Sequence, residues 1–201
     1  MKKGRFIVLE GGVGCGKTTQ FEKLKKRFPC WKFYREPGGT PFGEKIRDAV
    51  QGIHNYKVNP YASVLAYSSS RANLVREVII PQLTKGKTVV LDRYWFSTYA
   101  YQGSDGISEK TVEKLNVIAT GGLLPDLVLH YDLNPKIGLQ RKAGQKDLDR
   151  YDVKDIVFHQ EVRKRYLALS KKYSKIWRII DASKSIEEVF KESLKWIKSL
   201  S

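Results

Sequence analysis

A glycine-rich run near the start of the chain carries the clearest chemical signal. It follows a short apolar segment and has the pattern G-x-x-x-x-G-K-T. Its members are Gly11, Gly12, Val13, Gly14, Cys15, Gly16, Lys17 and Thr18, with Thr19 next, and we call residues 11–18 the phosphate loop. Glycines let the backbone turn its N–H groups around phosphate oxygens, and a following helix N-terminus adds positive potential. The lysine of this pattern reaches the β- and γ-phosphates and the threonine hydroxyl ligates Mg²⁺, so we predict a nucleoside triphosphate site.

Asp92 and Cys15 could also take part in chemistry. Asp92 ends the apolar segment at 88–91, where proteins with this loop place an acid that holds the Mg²⁺ shell. A structural cap is the alternative role for Asp92. Cys15 occupies a variable position of the pattern with no histidine nearby in sequence, and we assign it no nucleophilic role.

Short apolar segments alternate with longer amphipathic ones along the chain. Strands are predicted at 5–9, 31–35, 88–91, 126–131 and 177–180, and helices at about 17–28, 43–51, 60–84 (broken near Pro81), 108–120, 135–142, 153–173 and 185–200. Strands that are apolar throughout and separated by helices indicate a parallel sheet covered on both faces. We therefore predict one α/β domain over residues 1–201. It has the P-loop NTPase fold, with five parallel strands and helices on both faces. The ligand sites lie at the carboxyl ends of the strands.

Composition excludes several classes of protein. The 201 residues are 41% hydrophobic and include no apolar run of the roughly 20 residues that a membrane helix needs. Two cysteines exclude a disulfide framework, and the absence of a targeting segment predicts a cytoplasmic protein. The net charge of +16 allows an anionic partner, such as nucleic acid or nucleotide phosphates, or simply a lysine-rich solvated surface.

Longer stretches of sequence resemble one family of nucleotide kinases. They are FIVLEGGVGCGKTTQ at 6–20, REPGGTPFGEKIR at 35–47 and DRYWFSTYAYQG at 92–103, followed by PDLVL at 125–129, DR at 149–150, FH at 158–159 and DAS at 181–183. In this order they resemble the thymidylate kinases over nearly the whole chain. The resemblance implies transfer of the γ-phosphoryl group of Mg-ATP to dTMP, giving dTDP and ADP, by a homodimer.

The resemblance also implies a set of residues that bind the phosphoryl acceptor. They are Glu36, Arg47, Tyr67, Arg71, Arg93, Tyr101 and Gln102. Arg93 and Arg47 would hold the monophosphate, since planar guanidinium groups match its paired oxygens. Tyr67 would stack on thymine, while Arg71 and Gln102 would bind the base edge. Tyr101 would crowd the 2′ side of the sugar, and Glu36 would organise the acceptor and metal region. Packing in the core is the alternative role for both tyrosines.

The family brings a catalytic arginine either from the phosphate loop or from a lid. The loop here has none, so the resemblance implies a mobile lid at about 141–151. Arg150 is the first choice for the catalytic cation beside Lys17, Asp92 and Arg93, whereas Arg141 would stack on adenine. Lys142 and Lys146 are the other lid cations, and a solvated charged loop is the alternative.

One position departs from the family pattern. Val13 stands where thymidylate kinases usually have an acid, and valine accepts no hydrogen bond. A relaxed acceptor range, or Glu36 taking over the role, would accommodate the change. The alternatives to a thymidylate kinase are a broader pyrimidine kinase acting on dUMP, UMP or CMP, a nucleic-acid-binding ATPase, and a degenerate kinase that only binds nucleotide. The neutral segment 36–135 and the acceptor motifs argue against nucleic acid.

Overall fold

Five parallel strands form the centre of the molecule. The computed structural model describes residues 4–52, 54–144 and 148–200. The strands are β1 (Phe6–Gly11), β2 (Lys32–Arg35), β3 (Val89–Asp92), β4 (Leu127–Asp132) and β5 (Trp177–Asp181), in the order β2-β3-β1-β4-β5. Each neighbouring pair is parallel. The predicted parallel α/β sheet is therefore confirmed.

Helices cover both faces of this sheet. They are α1 (Lys17–Arg27), α2 (Pro41–Gln51), α3 (Pro60–Leu74), α4 (Ile80–Thr84), α5 (Trp95–Ser104), α6 (Glu109–Thr120), α7 (Pro135–Lys142), α8 (Ile156–Lys172) and α9 (Ile186–Lys198). Side chains of β1 alternate between two cores because successive strand residues point to opposite faces. Phe6 and Val8 pack in the core with α3, α5 and α8, whereas Ile7 and Leu9 pack in the other core with α1 and α9.

Two helical regions differ from the sequence prediction. The expected break near Pro81 is replaced by a π-helical segment, Val75–Ile79, that connects α3 to α4 with helical backbone throughout. In the wider turns of this segment the Ile80 N–H donates a hydrogen bond to the carbonyl of Val75. The next residue is Pro81, which has no N–H to donate. Helix α5 was not predicted, because most of its residues are buried on every side and it therefore lacks an amphipathic period.

The strand register brings the predicted chemistry to one edge of the sheet. Leu9 of β1 and Arg35 of β2 are both level with Asp92 at the end of β3. The Arg93 N–H donates to the carbonyl of Leu9 at 2.9 Å, and the Glu36 N–H donates to that of Asp92 at 2.9 Å. These bonds continue the sheet by one residue, so the phosphate loop, Asp92–Arg93 and Glu36 lie side by side.

Candidate active site

The phosphate loop leads directly into α1, whose first residue, Lys17, is buried. Gly14 and Gly16 have φ values of 60° and 80°, a region that favours glycine, and α1 begins directly after them. Lys17 is buried and forms an ion pair with the Asp92 carboxylate. The two groups predicted to act on the triphosphate therefore lie in direct contact.

The oxygen donors at this point suit a magnesium ion. Thr18 lies in the first turn of α1 with an exposed side chain, next to Lys17 and its Asp92 partner. Within the described ranges no group of three or more His, Cys, Asp or Glu side chains forms a metal cluster. Mg²⁺ prefers oxygen ligands and binds through one or two protein groups plus substrate phosphates and water. One hydroxyl and one carboxylate fit that requirement.

Helix α7 packs against the phosphate loop by backbone contact. A Cβ atom at Gly14 would lie 2.1 Å from the carbonyl oxygen of Gly138, and one at Gly138 would lie 2.1 Å from that of Val13. The Arg141 guanidinium donates to the carbonyls of Gly14, at 3.4 Å, and Ala182, at 3.2 Å. Val13 itself is buried next to α7. The position that departs from the family pattern is thus packed against a helix.

A cavity beside Asp92–Arg93 collects the predicted acceptor residues, and we call it the acceptor cavity. Its lining is Glu36, Pro37, Gln51, Tyr67, Arg71, Arg93, Tyr94, Ser97, Thr98, Tyr101, Gln102, Asp149, Tyr151 and Asp152. Of the seven predicted acceptor residues, Arg47 is the one outside this lining. It lies at the edge, where its guanidinium donates to the carbonyl of Pro37 at 3.1 Å.

A buried ion pair forms one wall of the acceptor cavity. Arg71 Nε donates to Glu36 Oε2 at 2.7 Å and Arg71 Nη2 donates to Thr98 Oγ1 at 3.0 Å. Burial raises the pKa of Glu36 to about 7, although the Arg71 guanidinium acts in the opposite direction. The second carboxylate oxygen, Oε1, is buried without a hydrogen-bond partner in the described part of the chain. Glu36 therefore has a free acceptor atom at the cavity.

Tyr151 lines the cavity but was not among the site residues predicted from the sequence. Its hydroxyl accepts hydrogen bonds from Gln102 Nε2 at 2.6 Å and from Arg150 Nη2 at 2.5 Å, and Tyr67 donates to it at 3.4 Å. Its ring packs edge-on against Tyr101, with the centroids 5.4 Å apart. The one available signal was an aromatic residue directly after the Asp-Arg motif.

The two lid arginines lie in different places. Arg150 Nη2 also donates to Ser63 of α3 at 2.6 Å, and the Arg150 N–H donates to the carbonyl of Gln51 at 3.4 Å. Its hydrogen bonds therefore go to the acceptor side, whereas Arg141 contacts the phosphate loop. Lys142 pairs with Asp152 at 3.0 Å. Lys146 lies outside the described residues.

Comparison with known proteins agrees with this geometry. The thymidylate kinase family model matches residues 9–193. The chain belongs to the thymidylate kinase family. A thymidylate kinase of Thermoanaerobacter sp. (strain X514) is 40% identical over 201 residues, covering 98% of both chains. That of Deinococcus radiodurans is 40% identical over 194 residues, covering 94% of both. That of Chlamydia trachomatis serovar L2 is 38% identical over 202 residues, covering 97% of this chain and 99% of its own.

Family membership confirms the resemblance read from the sequence motifs. It makes the chain a nucleoside monophosphate kinase with ATP as phosphoryl donor, and it does not favour the broader pyrimidine alternative.

No helix in the described ranges is long and apolar enough to span a membrane.

Proposed function

We propose that this protein transfers the γ-phosphoryl group of Mg-ATP to dTMP. The observation that carries the proposal is the position of the acceptor cavity directly beside the phosphate loop. Lys17 and Asp92 are in contact on one side, and Arg93 follows Asp92 into the cavity on the other. A donor phosphate and an acceptor phosphate are thereby held next to each other, as direct transfer requires.

On the donor side, the phosphate loop binds the triphosphate through its backbone N–H groups and Lys17. Thr18 and Asp92 would hold the Mg²⁺ ion, which supplies neutralisation of phosphate charge when bound. Arg141 contacts the carbonyls of Gly14 and Ala182, at the end of α7 and just after β5. This location is compatible with a guanidinium that lies against the adenine ring.

On the acceptor side, each end of dTMP meets suitable groups. Arg93 and Arg47 bind the monophosphate. Tyr67 stacks on thymine, and Arg71 and Gln102 bind its polar edge. Tyr101 packs close to the sugar and leaves no space for a 2′-hydroxyl. Tyr151 bonds to both Gln102 and Tyr67, so we add it to the base end of the site.

The transfer itself needs positioning and charge neutralisation rather than a strong base. The acceptor oxygen of a phosphate is already ionised at neutral pH, so no side chain has to remove a proton from it. Exclusion of water by a lid at 141–151 prevents hydrolysis of ATP. We propose that Arg150 is the lid cation that stabilises the transferring group, and that it leaves Ser63 when the lid closes.

A coupled ADP-release assay on matched variants tests these roles. Lys17→Met should lower kcat by about 10³-fold or more, since it removes charge stabilisation of the transferring group. Arg93→Ala should mainly raise the KM for dTMP, by about 100-fold, through loss of a charge-assisted phosphate contact. Arg150→Ala should lower kcat more than Arg141→Ala does. Equal effects of Arg93→Ala on the KM values of ATP and dTMP would contradict the assignment of Arg93 to the acceptor.

We also propose a homodimer formed through α3 and α6. These helices pack against each other and expose large apolar side chains, among them Leu65 at 55% and Ile118 at 70% of full exposure. Exposed apolar patches of this kind are typical of protein interfaces. Leu65→Glu should convert the dimer to monomer in light scattering after gel filtration. The matched control is Val157→Glu, at an exposed apolar position on α8, which should leave the dimer intact.

A further inference from the structure

A buried carboxylate lies near the end of β1, directly before the phosphate loop. Glu10 is completely buried and accepts three hydrogen bonds. They come from the N–H of Tyr94 at 2.8 Å, from Ser97 Oγ at 2.6 Å and from the Tyr166 hydroxyl at 2.9 Å. Ser97 lies on α5 and Tyr166 on α8, so the carboxylate joins three elements at the edge of the acceptor cavity.

The same two hydroxyl oxygens also accept from Arg93. Its Nη1 donates to Ser97 Oγ at 3.0 Å and to the Tyr166 hydroxyl at 3.4 Å. A third bond from Nη1 goes to the carbonyl of Gly11 at 3.2 Å, in the phosphate loop. Nη2 contacts the Tyr101 hydroxyl at 3.4 Å, on the cavity side. The guanidinium is therefore hydrogen-bonded to two hydroxyl groups, those of Ser97 and Tyr166, that are themselves hydrogen-bonded to Glu10.

The direction of each hydroxyl proton follows from the ionised carboxylate. An ionised carboxylate can only accept hydrogen bonds, so it favours the arrangement in which Ser97 and Tyr166 both donate to Glu10 over the one in which one hydroxyl donates to the other, 2.8 Å away. Their oxygen lone pairs then remain available to the N–H groups of Arg93. Burial raises the pKa of Glu10, while the hydrogen bond from Ser97 and the nearby Arg93 charge lower it and favour the ionised form.

The backbone conformation of Arg93 also indicates that the position of this residue is constrained. Its φ of 67° is the left-handed region, and in the described ranges Arg93 is the one non-glycine residue with positive φ. Such a conformation costs about 1–3 kcal/mol and persists where surrounding contacts determine it, often at functional sites. We propose that Glu10 is a positioning residue that, through Ser97 and Tyr166, fixes the guanidinium of Arg93 for the acceptor phosphate. The inference rests on the proposed function.

Replacement of Glu10 by glutamine tests this hydrogen-bond arrangement with little change in the shape of the side chain. The amide oxygen would accept from the Tyr94 N–H, so the amide N–H groups would face Ser97 and Tyr166. Each hydroxyl oxygen would then accept from the amide, and its own proton, which no longer has a carboxylate to donate to, would turn toward Arg93 and weaken the two bonds that Arg93 donates. The KM for dTMP should rise by about 10–100-fold, the effect of losing hydrogen bonds to a charged group. The KM for ATP should stay within about twofold, since Lys17 and the loop amides are unchanged.

Two buried tyrosines give a matched comparison if Glu10→Gln does not fold. Tyr166 and Tyr131 are both completely buried, and the hydroxyl of each contacts a serine, Ser97 and Ser193 respectively. Tyr166→Phe should raise the KM for dTMP by about threefold or more, whereas Tyr131→Phe should lower thermal stability without that change. Equal KM values for the two variants would overturn the proposal.

A double-mutant cycle distinguishes action through Arg93 from a general structural role. In an Arg93→Lys background, Glu10→Gln should change kcat/KM for dTMP by less than about twofold, because the group it positions is absent. Full additivity of the two substitutions, or equal KM increases for ATP and dTMP, would overturn the role of Glu10. Failure of the wild-type protein to phosphorylate dTMP would instead refute the proposed function.

Discussion

Replacement of Gly138 by alanine tests how closely α7 controls the phosphate loop. Gly138 lies inside α7, where alanine is the better helix former by about 1 kcal/mol. The structure predicts the opposite outcome, because the new Cβ would lie 2.1 Å from the Val13 carbonyl oxygen and 3.2 Å from Val13 Cγ1. An ordinary C···O contact is about 3.3 Å, so helix and loop must separate by about 1 Å.

The magnitudes can be compared directly. Overpacking of this kind costs about 1–3 kcal/mol. The middle of that range exceeds the gain in helix propensity by about 1 kcal/mol. For a chain of this size the melting temperature should fall by about 2–4 °C. The effect on catalysis should be larger, since a displacement of about 1 Å in a positioning group can cost about 100-fold in rate. We expect kcat/KM for ATP to fall by about 10–100-fold.

Differential scanning fluorimetry and steady-state kinetics with varied ATP measure both effects. Binding of dTMP in the absence of ATP should be unchanged, because the acceptor cavity does not include α7. Lys136→Ala, at an exposed position of the same helix, is the control for a change in helix propensity alone. A higher melting temperature for Gly138→Ala together with an unchanged kcat/KM for ATP would refute the reasoning.

Two further predictions concern the acceptor cavity. Because burial raises the pKa of Glu36 from 4.5 to about 7, the folded state binds its proton more tightly than the unfolded chain does. The resulting stabilisation is complete below about pH 4.5 and is lost as the pH rises to about 7, a change of about 3 kcal/mol relative to Glu36→Gln. Melting curves of both proteins from pH 4 to 8 measure it, and parallel pH profiles would contradict it. Tyr101→Ala should reduce the preference for dUMP over UMP by about tenfold, since the 2′-hydroxyl then has space. An unchanged ratio of the two kcat/KM values would show that Tyr101 does not select the sugar.

The sheet and the phosphate loop could be predicted from local sequence. The central strands β1, β3 and β4 are mostly apolar and the loop has a fixed pattern, so each is specified by adjacent residues. Helix α5 could not be predicted in this way, because its aromatic residues are buried on every side and the N-cap Tyr94 makes no side-chain cap.

The acceptor cavity was predictable only where a family motif named its residues. Glu36, Arg93 and Gln102 lie in such motifs and line the cavity, and Arg71 lines it as the same family resemblance implied. The roles of Tyr151 and Glu10 depend on partners far away in sequence, such as Gln102 and Tyr166, so their local sequence does not reveal these roles. The contact of Arg150 with Ser63 is likewise a tertiary contact between distant segments.

The most direct test is a comparison of acceptors in a coupled ADP-release assay with Mg-ATP. The acceptors are dTMP, dUMP, UMP, dCMP, CMP, AMP and none. We expect a clear preference for dTMP, which would also show that Val13 is compatible with catalysis. Comparable rates with UMP would contradict the role of Tyr101, and comparable rates with dCMP would contradict the roles of Arg71 and Gln102. No acceptor-dependent turnover would contradict the kinase function itself.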